Sequence, residues 1–170
     1  YQANPHSESL KNGLAISYSK LGDLWQNKGD FAKALDFFEK RAQLGEELYQ
    51  ANPHSESLKN GLAISYNKLG LLWLEQGEPE RALDYMDKVL SLSKDLLESN
   101  PNSFQLQHFQ CYYWRDYART LQALGRQEEA LAFYQRAAAG WQSLWEQTGL
   151  PQIKKDLDSV RARIEDLQAS

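Results

Sequence analysis

The eighteen residues YQANPHSESLKNGLAISY, Tyr1 to Tyr18, recur letter for letter from Tyr49 to Tyr66. Shifted by 48, residues 1–48 and 49–96 agree at 30 positions. A catalytic centre gains nothing from such spacing. A row of stacked supersecondary units requires it, because each unit buries its apolar face only against the next. A third copy, 97–144, has diverged but keeps the punctuation. Asn-Pro stands at Asn4-Pro5, Asn52-Pro53 and Asn100-Pro101, and glycine at Gly29, Gly77 and Gly125.

The punctuation divides each copy into two helices, A and B. Proline keeps its preceding residue out of the helix and suits a helix's first turn. Helix A therefore starts just after Asn-Pro, with Ser7, Ser55 and Ser103 as caps. Leu10, Leu14, Tyr18, Leu21 and Trp25 follow with helical spacing and form the expected core face. The glycine ends helix A. Asp30, or Glu78 with Pro79, opens helix B, which carries Leu35, Phe38, Ala42 and Leu48 in the first copy. Each helix has room for about 20–23 residues, or roughly 30–35 Å at 1.5 Å per residue.

Tyr18, Leu21, Gly22, Trp25, Gly29, Phe31, Ala34 and Phe38 resemble the core signature of the tetratricopeptide repeat. Tyr66, Leu69, Gly70, Trp73, Gly77, Ala82 and Met86 resemble it in the second copy, and Trp114, Tyr117, Ala118, Leu121, Gly125, Ala130 and Tyr134 in the third. The resemblance implies an all-α, right-handed solenoid of three helix pairs, over residues 1–48, 49–96 and 97–148. The family's usual period is 34 residues, so about 14 more lengthen both helices here, by roughly two turns each. Gly22, Gly70 and Ala118 are the expected points of close approach for helix A. Pro79 and Gln127 depart from the aromatic Phe31, so A–B packing is expected to differ there. Residues 149–170 form a closing helix: Ile153, Leu157, Val160, Ile164 and Leu167 make one apolar stripe opposite a charged face. An end repeat needs such a cover. Trp141 and Trp145 mark where it lands, and Trp25, Trp73 and Trp114 read as packing residues. The chain begins inside a repeat, as a segment of a longer array would.

Composition removes several function classes. The net charge of −4 and the lack of any basic run beyond Lys154-Lys155 argue against nucleic acid or an anionic membrane as partner. No apolar run approaches the roughly 18 residues of a membrane span. A single cysteine, Cys111, fits a reducing, cytoplasmic compartment and a small buried filler. His6, His54 and His108 lie too far apart in sequence to make a metal site, and no phosphate-binding glycine loop follows a strand. Glu128-Glu129 suits a helix start electrostatically. No enzyme activity, metal or cofactor is expected.

The resemblance further implies a concave groove lined by the A helices that receives a peptide or partner segment. Helical stepping puts Asn12 and Ile16 on that face in the first copy, with Ser19, Asp23 and Gln26. It puts Asn60, Ile64, Asn67, Leu71 and Leu74 there in the second, and His108, Tyr112, Arg115 and Arg119 in the third. Asparagine amides both donate and accept, which suits an extended backbone. The apolar members suit a hydrophobic stretch, and the paired arginines an acidic feature. Ser19 and Asp23 stand where carboxylate-clamping members of the family carry a lysine and an asparagine, so that function is not expected. Self-association through an apolar groove, and a regulatory module within a larger protein, are the alternative readings.

Overall fold

A computed structural model describes residues 5–169, with side chains from residue 9 onward. It is all-helical: α1 (Pro5–Asn27), α2 (Phe31–Ala51), α3 (Glu56–Glu75), α4 (Pro79–Ser99), α5 (Phe104–Ala123), α6 (Gln127–Thr148) and α7 (Pro151–Gln168). Helices α1, α3 and α5 are the A helices, and α2, α4 and α6 the B helices. Each A helix packs on its own B helix, and the hairpins stack in chain order: α2 on α3, α4 on α5, and α6 on α7.

Local chemistry sets the boundaries. Gly29, Gly77 and Gly125 adopt φ of 74°, 75° and 76°, a region that L side chains avoid. At each, the residue after the glycine donates back across the turn. Asp30 N reaches Trp25 O at 3.0 Å, Glu78 N reaches Trp73 O at 3.0 Å, and Arg126 N reaches Leu121 O at 2.9 Å. This pairing ends all three A helices and satisfies carbonyls that would otherwise lack partners. Ser55 and Ser103 cap α3 and α5 by accepting from Leu58 N and Leu106 N, and Asp30 caps α2 by accepting from Lys33 N. Glu78 makes no side-chain cap, and Pro79 supplies the preset first turn of α4 instead. The expected cap at Ser7 lies outside the described side chains, as does His6.

Within each hairpin the small residues set the approach. A methyl at Gly22 would lie 2.3 Å from the Phe38 ring, so the ring packs directly on the α1 backbone. Gly70 admits Met86 in the same way, and Ala118 is fully buried at the third such position. One cluster joins the first two repeats through Phe38, Ala42, Leu62, Leu69 and Leu72. A second joins the third repeat to the closing helix, where Trp141 and Leu144 meet Ile153, Leu157 and Val160. Ile164 and Leu167 pack at its margin, so the whole apolar stripe of α7 faces α6.

One core expectation is corrected. Leu10, Leu14 and Leu21 are exposed on α1, although their counterparts on α3 are buried. The letters are the same; no B helix precedes α1 among the described residues. The tryptophans Trp25, Trp73 and Trp114 do serve in packing: all three are half-buried, and Trp25 and Trp114 lie against the margins of the two clusters. Lys33 lies over the Trp25 ring at 3.9 Å, and Arg81 over Trp73 at 4.5 Å. Phe31 meets Trp73 edge-on at 5.2 Å, so this aromatic joins two repeats. The residue aligned with Trp73 in the third copy is Leu121, so Pro79 faces no tryptophan there.

Cys111 is buried, and its Sγ donates to the Gln107 carbonyl at 3.2 Å. Gly140 makes room for it, since a Cβ there would sit 2.5 Å from the sulfur. Burial pushes the thiol up to about 12. The thiolate is the reactive form. At pH 8 the native chain is therefore expected to react with iodoacetamide at least about a hundred-fold more slowly than the urea-unfolded chain. Equal rates in the two states would contradict this placement.

Candidate functional site

The A helices line the inner side of the stack: α3 touches α5 directly, and cavities open between successive B helices instead. Repeating positions therefore form rows across the array. Asn12, Asn60 and His108 make one row, and Ile16, Ile64 and Tyr112 the next. Ser19, Asn67 and Arg115 follow, and then Asp23, Leu71 and Arg119.

Many polar members of these rows tie neighbouring repeats together. Asp23 accepts from Lys68, and Gln26 Nε2 donates to Glu75 Oε2 at 2.6 Å. Asn67 Nδ2 donates to Asp116 Oδ2 at 3.3 Å. Each bond spans about one repeat, so this surface aligns successive hairpins. The carbonyl oxygens of Asn60 and Asn67 have no hydrogen-bond partner among the described residues. Between the amides the strip is apolar. Ile16 is half-exposed, and Ile64, Leu71 and Leu74 are partly so.

The third repeat differs from the expectation in one respect. Arg115 does not hold its fork open. Its Nε and Nη2 donate to Asp116 Oδ1 at 2.9 and 2.7 Å, and Asp116 is 1% exposed. Burying that carboxylate requires such partners. Arg119 stands 3.7 Å from the same oxygen and is 46% exposed. Two arginines against one aspartate leave a charge of +1, presented mainly by Arg119.

Tyr112 is drawn toward the closing helix. Its hydroxyl donates to Asp156 Oδ2 at 2.6 Å, and its ring meets Trp141 edge-on at 5.2 Å. His108 lies 4.8 Å from the ring and 3.7 Å from the same carboxylate. Burial, then the Asp156 carboxylate, raises the Tyr112 phenol to about 12. The structure thus brings Ile16, Ile64, Asn67, Leu71 and Arg119 onto one strip, with Asn12 exposed at its edge. Tyr112 and Arg115 serve largely to hold that strip in shape.

The sequence reading missed the outer side. A cavity of about 530 Å³ opens between α4 and α6 over α5, with Leu97, Trp114 and Arg136 in its lining. One of about 500 Å³ opens between α2 and α4 over α3, lined by the equivalent Tyr49, Tyr66 and Lys88. The recurrence of an aromatic at 66 and 114 and of a cation at 88 and 136 was the available signal. No group of three or more His, Cys, Asp or Glu among the described residues could hold a metal ion. No described helix is long and apolar enough to cross a membrane.

The tetratricopeptide repeat family model matches residues 62–103 and 118–144. No curated protein matches the chain. Among solved structures it is similar to the N-terminal domain of stress-induced protein-1 (STI-1) from C. elegans, at 12% identity, covering 89% of this chain and 97% of that one, with a TM-score of 0.47. It is also similar to a de novo designed helical repeat protein, at 16% identity over 98% and 96% of the two chains and a TM-score of 0.41. The MamA protein is similar at 17% identity over 91% and 93%, with a TM-score of 0.35. The doubled signature and the ordered stacking of the hairpins agree with the family match, so over 62–103 and 118–144 this chain is similar to the tetratricopeptide repeat family, whose members generally serve as protein–protein interaction modules.

Proposed function

We propose that the inner strip of the A helices receives an extended peptide segment. Apolar side chains of the segment lie against Ile16, Ile64 and Leu71, and an acidic residue lies toward Arg119. The observation that carries this reading is the apolar row itself. Polar neighbours on the same face are occupied in lacing the repeats, while Ile16, Ile64 and Leu71 remain accessible and serve no fully buried contact. Extended segments bound this way take affinity from backbone bonds and specificity from alternate side chains. The residual positive charge at Arg119 sets the polarity of the segment.

Selection of peptides from a random display library on the chain tests the reading. Enriched sequences are expected to combine two or three apolar residues with Asp or Glu at one end. Arg119→Gln is expected to weaken them about five-fold or more, with the loss shrinking at high salt. Arg119 suits this test better than Arg115, whose removal would strand the buried Asp116. Unchanged affinity in the Arg119 variant would take this residue out of the site.

A further inference from the structure

The third repeat departs from the second at residues that line its outer cavity. That cavity, about 530 Å³ between α4 and α6, has apolar walls of Leu90, Leu97, Trp114 and Phe133. A smaller chamber of about 160 Å³ adjoins it, and Leu97, Gln110 and Trp114 line both. Gln110 holds the position of Leu62, which lines the equivalent cavity of the second repeat. Gln110 is only 6% exposed, yet its side-chain amide makes no hydrogen bond among the described residues. A buried amide without a partner costs stability that leucine would not. Gly140 holds the position of Leu92 and removes that side chain beside the smaller chamber. Gln107 and Ser143 hold the positions of Lys59 and Asp95, which pair at 3.9 Å in the second repeat. Bulk and charge are thus both withdrawn around one unpartnered amide. Charge remains at the exposed rim of the larger cavity. Lys94 lies 3.8 Å from Glu98, whereas Arg136 rests over the Phe133 ring at 4.8 Å with no ion-pair partner among the described residues. Two cations against one carboxylate leave the rim with a charge of +1.

We infer that this cavity binds a small amphipathic monoanion of the N-acyl amino acid class. Its carboxylate lies on the Arg136 fork, its amide against Gln110, and its apolar parts along Trp114, Phe133 and the α4 leucines. The volume falls within the roughly 300–1,000 Å³ of small-molecule pockets. Guanidinium takes a carboxylate through two parallel bonds. A phosphate dianion would leave one charge uncompensated beside Glu98. The Gln110 amide donates and accepts, so an amide in the ligand satisfies it where a plain hydrocarbon chain would leave it stranded. The cavity lies between B helices, away from the inner strip, so either site can fail without the other.

The test titrates N-octanoyl-leucine, below its micelle concentration, into the full chain by isothermal titration calorimetry. Saturable one-to-one binding is expected. Gln110→Leu, which installs the second repeat's residue, should raise the melting temperature and weaken binding at least about ten-fold. A loss of binding in a better-folded variant cannot come from unfolding. Arg136→Gln should weaken binding about five-fold or more, and less so at high salt. Dodecanoic acid, which lacks the amide, should bind the native chain at least about ten-fold more weakly than N-octanoyl-leucine. Undiminished binding to Gln110→Leu overturns the amide contact. Dodecanoic acid binding as tightly as the acyl amino acid overturns the ligand class. No saturable binding of N-octanoyl-leucine to the native chain overturns the site.

Discussion

Trp141→Ala is expected to lower the unfolding free energy by about 3–5 kcal/mol, a large part of the 5–15 kcal/mol typical of a domain. Trp141 is fully buried and central to the cluster that holds α7 on α6. Its removal withdraws the ring from Tyr112, and with it the support that keeps the Tyr112–Asp156 bond in register. The loss should therefore appear first at α7, as faster amide exchange over 151–168, and only then as a lower denaturation midpoint. Trp141→Phe is the control. The indole N–H has no partner among the described residues, so phenylalanine removes an unsatisfied donor while keeping most of the volume. It should cost less than about 1.5 kcal/mol. Equal losses for the two variants would mean that ring packing does not secure the closing helix.

The second large effect is expected at Gly22. A Cβ there lies 2.3 and 2.4 Å from two atoms of the Phe38 ring, which is itself buried and cannot swing aside. Gly22→Val should cost about 3 kcal/mol through overpacking, localised to the α1–α2 hairpin because repeats in a linear array depend on their neighbours only. Gly70→Ala provides the contrast. Its nearest obstacle, at 2.8 Å, is the terminal methyl of Met86, the end of a flexible side chain. Yielding there is cheap, and alanine gains up to about 1 kcal/mol of helix propensity over glycine. Gly70→Ala should be close to neutral in urea denaturation. A larger loss at Gly70 than at Gly22 would contradict the close-approach account.

Much of this architecture was legible from residue type alone, for physical reasons. Only glycine takes the left-handed conformation at 29, 77 and 125 without strain, so those letters mark helix ends wherever the chain places them. The stripe from Ile153 to Leu167 has one use beside an open helical hairpin, and α7 puts it there. Burial was not legible. Leu14 and Leu62 occupy identical local sequences, and a neighbouring helix decides which of them is covered. The role of Arg115 was also hidden. A stepping argument places a side chain on a face but cannot see that the adjacent Asp116 takes its fork inward. Helical stepping places Tyr112 with the groove, yet Asp156, 44 residues onward, draws it toward the closing helix. The outer cavities escaped notice because they arise from the spacing of successive B helices, which no single repeat encodes.

The central claim is that the inner strip of stacked A helices is the receiving surface. Methyl-labelled NMR of the chain titrated with a library-selected peptide tests it most directly. The account predicts that the methyl signals of Ile16, Ile64 and Leu71 shift together and saturably, while those of Leu10, Leu14 and Leu24 stay in place. Shifts confined to the α1 leucines, or to methyls around the outer cavities, would contradict it.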